Sequence, residues 1–204
     1  MVNIVIIDYG MGNLRSVEKA FQRLGINPKI SYLSDDILNA DKLVLPGVGH
    51  FKKGMDNLYQ LGIIDSLKES VIVKKKPVIG ICLGMQLMTK YSEEGNCEGL
   101  GWIKAETIKF SFDDIKLKIP HMGWNNLFVK NNTSLLKNIN EEDFFYFIHS
   151  YYVSCNNEKD ILSETKYGND FISCFQRDNI FGSQFHPEKS HDAGLKLHKN
   201  FANL

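Results

Sequence analysis

The stretch around which this chain folds is Pro77-Val78-Ile79-Gly80-Ile81-Cys82-Leu83-Gly84-Met85-Gln86. Its first half, Pro77 to Ile81, is short, apolar and β-branched, which is typical of a buried strand in a parallel sheet. A cysteine then stands between glycines at i−2 and i+2, and a helix is predicted to begin near Gly84. This spacing indicates a strand–turn–helix elbow. Its glycines permit a sharp turn and leave the central side chain exposed at the carboxyl end of the strand.

Two interpretations of Cys82 follow, and the elbow sequence alone does not separate them. At a helix N-terminus the positive end of the helix dipole favours the thiolate, which would make Cys82 a nucleophile near neutral pH. The alternative is a buried structural cysteine, because free cysteine is among the most buried residue types. The rest of the chain has to decide between them.

The composition is that of an ordinary globular protein. The chain has 204 residues, of which 43% are hydrophobic and 24% charged, with 24 basic and 24 acidic side chains. This length suits a single domain over residues 1–204, with a core that needs no disulfide or metal. The charge balance gives no electrostatic reason to expect a nucleic-acid or membrane partner.

The cysteines and apolar runs predict the compartment. The four cysteines (Cys82, Cys97, Cys155, Cys174) lack metal-ligand spacing, and we expect reduced thiols. The amino terminus lacks the basic head and the length of a signal sequence, and no apolar run approaches the ~20 residues that span a bilayer. We therefore expect a soluble cytoplasmic protein with no metal and no cofactor.

In the first half of the chain, predicted strands alternate with predicted helices. The strands are Val2–Ile7, Pro28–Ser31, Lys42–Leu45 and Pro77–Ile81. The helices run from Leu14 to Gly25, from Ser34, and over His50–Leu61, Ile63–Lys74 and Met85–Tyr91. This alternation predicts an α/β fold with a mostly parallel central sheet flanked by helices.

After Tyr91 the predicted strands follow one another without long helices between them. They are Trp102–Phe110, Leu127–Val129, Phe144–Ile148, Ile161–Lys166, Phe171–Gln176 and Ile180–Gln184, and a last helix is predicted over His191–Asn203. We expect this half to add antiparallel strands to one edge of the sheet.

A cysteine nucleophile needs a base for its proton and a group that orients the base. His186 directly follows the strand ending at Gln184, Pro187 fixes the next turn, and Glu188 can reach back to the imidazole. Taken alone, this segment is more simply a surface turn with a solvated glutamate. Because Cys82 and His186 both follow apolar strands, however, they can meet at the carboxyl edge of one sheet, where α/β proteins place their sites.

Acyl transfer also requires hydrogen-bond donors for the oxyanion. The Leu83 backbone N–H is one candidate, because it directly follows the nucleophile. The loop Pro46-Gly47-Val48-Gly49 follows the third predicted strand, and its glycines permit close approach or a peptide flip. By itself the loop is a strand-end turn, but with Cys82 and His186 it becomes a candidate oxyanion loop.

Six segments, in one order along essentially the whole chain, resemble a known family. Three resemble the class I, triad-type glutamine amidotransferases: Gly80-Ile81-Cys82-Leu83-Gly84-Met85-Gln86, Pro46-Gly47-Val48-Gly49 and Gln184-Phe185-His186-Pro187-Glu188. Three more narrowly resemble the glutaminase subunits of imidazole glycerol phosphate synthases: Asp8-Tyr9-Gly10-Met11-Gly12-Asn13-Leu14, His121-Met122-Gly123-Trp124-Asn125 and Phe147-Ile148-His149-Ser150-Tyr151. The triad positions show no departure from the pattern.

The resemblance implies a role for each matched residue. Cys82 would attack the side-chain amide carbon of glutamine, His186 would relay the proton, and Glu188 would hold the imidazole. The oxyanion would be stabilised by Leu83 and by the loop residues Gly47, Val48 and Gly49. Glutamine would be recognised by Gln86, His149, Ser150 and Tyr151.

The resemblance also implies a partner. In this family ammonia passes, unreleased, to a (β/α)₈-barrel synthase subunit of a heterodimer, which uses it to make imidazole glycerol phosphate. The residues expected towards that partner are Met11, Gly12, Asn13, Trp124 and Lys189. From its sequence context alone, Trp124 is also compatible with a place in the core.

Several alternatives stay open at this level. A paralogous glutaminase would deliver ammonia to a partner that amidinates an amino sugar for surface glycans. A non-catalytic or peptidase-like relative is a third class, disfavoured by the intact triad. Among the other titratable residues, His121 and His149 are expected to be structural and Cys97, Cys155 and Cys174 inert, whereas surface positions are expected for His50, His191 and His198.

Overall fold

The computed structural model describes residues 2–112, 117–131 and 133–204. In these ranges the strands are β1 Ile4–Ile7, β2 Lys29–Ser31, β3 Lys42–Gly47, β4 Val78–Cys82, β5 Tyr91–Ser92, β6 Cys97–Glu98, β7 Ala105–Lys109, β8 His121–Asn126, β9 Phe128–Val129, β10 Phe144–His149, β11 Tyr151–Cys155, β12 Ile161–Tyr167, β13 Asn169–Arg177 and β14 Ile180–Ser183. The α-helices are α1 Leu14–Gln22, α2 Ser34–Asn39, α3 Phe51–Gln60, α4 Ile64–Lys68, α5 Leu83–Leu87 and α6 His191–Ala202. A π-helical turn, Glu69–Val73, extends α4, and short 3₁₀ turns cover Ser134–Leu136, Glu158–Asp160 and Pro187–Lys189. None of the helices in the described ranges is both long enough and apolar enough to cross a membrane.

The central sheet confirms the predicted α/β fold. Its order is β2-β1-β3-β4-β14-β13-β12-β9. From β2 to β14 the neighbouring strands are parallel, and from β14 to β9 they are antiparallel. The late strands therefore extend one edge of the parallel sheet, as predicted.

Both faces of the parallel strands are buried, which explains their continuous apolar sequence. All four residues of β1 are buried. Val5 and Ile7 belong to the core on one face, and Ile4 and Ile6 belong to the core on the other. This alternation follows from the two-residue period of a strand.

Not all late strands join that edge, and in this respect the prediction was wrong. Within the described residues β8 and β10 form a separate antiparallel pair, and β11, β7, β5 and β6 form a third sheet. The strand predicted over Trp102–Phe110 begins only at Ala105, because the N–H groups of Trp102 and Ile103 bond instead to the Met88 carbonyl at 2.9 and 3.0 Å.

The helix after the elbow is shorter than the predicted Met85–Tyr91. It covers Leu83–Leu87 and ends because the Thr89 hydroxyl donates to the Gln86 carbonyl at 2.8 Å. The Lys90 N–H then bonds to the Ala105 carbonyl at 2.9 Å, which takes the chain away from the helix axis. A five-residue helix carries little dipole, so the electrostatic environment of Cys82 is determined largely by other groups.

The predicted surface position of His198 was also wrong. Its side chain is 1% exposed, and its ring lies against Phe21 with 4.7 Å between centroids. His198 lies four residues after Gly194 and three before Phe201, which are both buried, so helical spacing carries it to the same inner face of α6.

Candidate active site

The elbow holds Cys82 in a conformation that few residues adopt. Cys82 has φ 52° and ψ −107°, in the positive-φ region that costs energy for a residue with a side chain. A Cβ on Gly84 would overlap the Leu45 carbonyl oxygen, and one on Gly80 would lie 2.6 Å from the Gly84 carbonyl group. The two glycines therefore let α5 lie directly on β3 and β4, which locks the cysteine at the end of β4.

His186 reaches Cys82 because their strands are neighbours. β14 pairs in parallel with β4, with Ser183 opposite Ile81, so both strands end at the same edge. The His186 Nδ1 atom lies 2.8 Å from Glu188 Oε1, and the two side chains are 1% and 2% exposed. The simpler interpretation of this segment, a surface turn with a solvated glutamate, was therefore wrong.

The charge state of His186 is set by its two neighbours. Burial alone would lower the pKa of His186, but charge and hydrogen bonding from Cys82 and Glu188 outweigh burial and raise this pKa to about 10. Within the described residues the buried Nε2 atom has no hydrogen-bond partner of regular geometry, and the Cys82 sulfur lies beside the ring. The site therefore favours the imidazolium form of His186 beside Cys82.

Two further groups contact the sulfur. The Ile148 carbonyl oxygen lies 3.9 Å from Cys82 Sγ, and the Gln184 side-chain nitrogen lies 3.6 Å from it. No functional role is predicted for either residue from the sequence. For Gln184 the available signal was an amide at the end of the predicted strand Ile180–Gln184, two residues before His186.

A cavity of ≈ 440 Å³ opens beside Cys82. It brings together most residues predicted for the oxyanion loop and for substrate: Val48, Gly49, Leu83, Gln86, His149, Ser150 and Tyr151. Lys189, Glu94, Pro120 and Ile148 also line it. Gly47 lies outside the lining, because it packs beneath the loop against the Tyr9 hydroxyl and Gly84.

The ring of His149 is held by the protein itself. Its Nδ1 atom lies 2.8 Å from the Tyr151 carbonyl oxygen, so this nitrogen carries the proton, and its Nε2 atom lies 3.1 Å from His121 Nδ1. Burial lowers the pKa of His149 to about 3 and that of His121 to about 4. Both rings are therefore neutral, and His149 has no free ring nitrogen for a ligand.

Gln86 is oriented by the same carbonyl. Its side-chain nitrogen donates to the Tyr151 carbonyl at 2.9 Å and to Gln184 Oε1 at 3.1 Å. Both N–H donors are used inside the protein, which leaves the Gln86 carbonyl oxygen as the group available to the cavity.

Three of the residues predicted to face a partner, Met11, Gly12 and Lys189, lie at this cavity or against the loop beside it. Lys189 lines it, and the Lys189 Nζ atom lies 5.5 Å from the centre of the Tyr146 ring. Gly12 packs against the Pro46 carbonyl group, and the Met11 methyl group lies against Gly49, so the 11–13 loop contacts the candidate oxyanion loop.

Trp124 is not a core residue. It is 48% exposed on β8, where its ring stacks on His191 with 5.1 Å between centroids. Met122 on the same strand is 59% exposed and Phe144 on β10 is 52% exposed. Alternation along paired strands places these three side chains on one surface, which we call the outer face of the β8–β10 pair.

A thiol, an imidazole and a carboxylate at the carboxyl edge of an α/β sheet define a class of protein, and the family comparison agrees. Residues 5–203 match the family model described as glutamine amidotransferase class-I. The chain belongs to the class I glutamine amidotransferases.

Relatives narrow the assignment. The chain is 52% identical over 202 residues to "Imidazole glycerol phosphate synthase subunit HisH 1" of Campylobacter jejuni, a match covering 98% of this chain and 100% of the relative. It is 48% identical over 201 residues to "Imidazole glycerol phosphate synthase subunit HisH 2" of Pseudomonas aeruginosa, covering 98% and 99%. Within its class, the chain belongs to the HisH family.

Solved structures support the fold. The crystal structure of a glutamine amidotransferase superposes with TM-score 0.74 at 19% identity, over 98% of this chain and 99% of the other. PurLQS from Thermotoga maritima gives TM-score 0.76 at 18% identity, over 99% and 98%. At such identities the likeness concerns architecture alone.

Proposed function

We propose that this chain is the glutaminase subunit of an imidazole glycerol phosphate synthase in histidine biosynthesis, hydrolysing glutamine to glutamate and ammonia. The observation that carries the proposal is that the buried His186–Glu188 pair lies beside Cys82, which lines the cavity. The names of the relatives support the synthase, and they give no support to the sugar-amidinating alternative.

The proposed chemistry uses three side chains. The Cys82 thiolate attacks the amide carbon of glutamine, and the resulting tetrahedral intermediate collapses as the His186 imidazolium gives its proton to the departing ammonia. Neutral His186 then takes a proton from water as the water attacks the thioester, and collapse of the second tetrahedral intermediate releases glutamate and restores the Cys82 thiolate beside the His186 imidazolium. Glu188 holds Nδ1 and stabilises the imidazolium in both stages.

The oxyanion is assigned to main-chain donors. The Leu83 N–H follows the nucleophile at the start of α5, and the Val48–Gly49 peptide lies across the same cavity. Gly49 has φ +109°, a conformation open mainly to glycine. Because the 11–13 loop contacts Gly49, we propose that partner binding adjusts this peptide and that the isolated chain is a poor glutaminase.

Recognition of glutamine is assigned to the cavity wall. The free carbonyl oxygen of Gln86 and the Glu94 carboxylate are acceptors suited to the α-ammonium group of the substrate. Ser150 and Tyr151 line the opening, while His149 acts by holding the Tyr151 carbonyl in place.

We also propose a heterodimer with a (β/α)₈-barrel synthase subunit that receives the ammonia directly and carries the lyase reaction of the complex. The outer face of the β8–β10 pair supports an apolar interface beside the cavity, and Lys189 and the 11–13 loop border it. Unpaired thiols at Cys82, Cys97, Cys155 and Cys174 agree with a cytoplasmic location.

The test is a Cys82→Ala variant assembled with the synthase partner. We expect loss of glutamine-dependent product formation, because the nucleophile is missing, and unchanged product formation with added ammonium salt. Cys97→Ala, which removes a thiol outside the cavity, serves as the matched control. Equal loss with both nitrogen sources would argue against the assigned role.

A further inference from the structure

Gln184 stands next to the proposed nucleophile but lies outside the triad. It follows β14, its side chain is 0% exposed, and its backbone N–H is fixed by the Ser173 carbonyl at 2.8 Å. Its side-chain nitrogen lies 3.6 Å from Cys82 Sγ. A fully buried amide makes a defined set of contacts, and here one of them is to the reacting atom.

The orientation of this amide follows from the hydrogen-bond chain that ends on it. The Tyr151 carbonyl can only accept, so the Gln86 atom 2.9 Å away must be its NH₂ nitrogen. That nitrogen also lies 3.1 Å from a Gln184 side-chain atom, which must then be the amide oxygen. The other end of Gln184 is therefore its NH₂ group, and it points an N–H at the sulfur.

His121 and His149 fix the first acceptor of this series of hydrogen bonds, the Tyr151 carbonyl. The Tyr151 carbonyl also accepts from His149 Nδ1 at 2.8 Å, and His149 Nε2 is held by His121. Buried and neutral, the two rings keep the carbonyl in one position. A carbonyl fixed in this way fixes Gln86, which in turn prevents the Gln184 amide from turning its oxygen to the sulfur.

We propose that Gln184 is a further catalytic residue, whose N–H stabilises the thiolate form of Cys82. A hydrogen bond to a charged acceptor is stronger than one to a neutral acceptor, so the bond favours thiolate over thiol. The Ile148 carbonyl, 3.9 Å from the sulfur on another side, can accept only from the thiol. The same Gln184 bond assists departure of the thiolate when the thioester is hydrolysed.

This inference rests on the proposed function only in taking Cys82 as the nucleophile. The contact itself can be tested without glutamine. Alkylation of Cys82 by iodoacetamide requires the thiolate, so its rate plotted against pH has a midpoint that reports the thiol–thiolate balance. Mass spectrometry of the peptide containing Cys82 separates it from the other three thiols.

The variant Gln184→Met keeps the length and apolar body of the side chain and removes the N–H. We expect the alkylation midpoint of the full chain to rise by about one pH unit or more, because a hydrogen bond to a charged group is lost. In the complex, glutaminase kcat at neutral pH should fall and its acid limb should move to higher pH. Gln176→Met is the control, since within the described part of the chain the Gln176 amide bonds only to the Asp178 carbonyl, in a neighbouring turn.

Gln184→Glu is a second variant that retains the acceptor for Gln86 and so preserves the packing of the site. A carboxylate against the sulfur opposes the thiolate and should also raise the midpoint. Midpoints equal to wild type in both folded variants would overturn the proposal. Failure of Cys82→Ala to affect glutamine hydrolysis would instead overturn the proposed function, whatever the alkylation profile shows.

Discussion

At the scale of single residues, Cys82 and Glu188 together allow a deeply buried imidazole to carry a proton at neutral pH. Burial by itself favours neutral His186, as it does for His121, His149 and His198. His186 differs because the Cys82 sulfur lies beside the ring and the Glu188 carboxylate lies 2.8 Å from Nδ1, and its pKa is raised to about 10. A raised pKa means that the imidazolium persists below that value and is lost as pH rises through it.

We predict that Glu188→Gln, which keeps the shape but removes the charge, lowers the pKa of His186. Glutaminase kcat of the complex should fall by about 10²-fold or more, by analogy with loss of the carboxylate in other triads. The alkaline limb of its pH–rate profile should move to lower pH. Glu142→Gln, at an exposed position, is the control. An unmoved alkaline limb in Glu188→Gln would contradict the assigned role.

The sequence reveals some of these residues and hides others for a physical reason. Cys82 and His186 follow apolar strands, so their meeting at one edge is predictable from the strand pattern. Gln184 is hidden because the partner of a buried amide depends on sheet pairing and on a second amide, Gln86, far along the chain. His198 is different: the helical spacing that buries it was already visible in the sequence.

At the scale of elements, the β8–β10 pair separates the buried histidines from an exposed apolar face. His121 and His149 pair directly on its inner side, while Met122 and Trp124 alternate to the outer side. The pair was only partly predictable. Phe144–Ile148 shows an apolar run, whereas His121–Asn126 has glycine and asparagines and becomes a strand only through its partner.

We predict that Trp124→Ala weakens association with the synthase partner by roughly 30-fold or more, as expected for a large aromatic at the centre of an interface. Isothermal titration calorimetry with the purified partner measures the dissociation constant of each variant. Tyr59→Ala is a matched control, because Tyr59 is 60% exposed on α3, outside the outer face. If Trp124→Ala binds the partner as tightly as wild type while Tyr59→Ala binds more weakly, the interface does not lie on the outer face of the β8–β10 pair.

At the scale of the whole molecule, buried neutral histidines make stability depend on pH. Burial lowers the pKa of His198 from 6.5 to about 4. Between these values the unfolded chain binds a proton that the folded chain does not, so stability falls as pH drops from 6.5 towards 4. The overall topology that buries these rings was predictable only in outline, because strand order and the division into separate sheets depend on contacts distant in sequence.

We predict that His198→Phe, which keeps a ring against Phe21, removes part of this acid sensitivity. As the pH falls from 6.5 to 4, the free energy of unfolding decreases in both proteins. The decrease should be smaller in His198→Phe than in wild type by about 3 kcal/mol, from the size of the pKa shift. Denaturant unfolding at a series of pH values measures the difference. His50→Phe, at an exposed position, should follow wild type. Parallel curves for His198→Phe and wild type would contradict a buried neutral His198.

The proposed mechanism requires a glutamyl group to become covalently attached to the Cys82 sulfur during turnover. The most direct measurement is acid quenching of the assembled enzyme within its first turnovers, followed by mass spectrometry of the peptide containing Cys82. We expect this peptide to carry a glutamyl group that is absent before glutamine is added. An unmodified Cys82 peptide throughout turnover, together with full glutamine hydrolysis by Cys82→Ala, would contradict it.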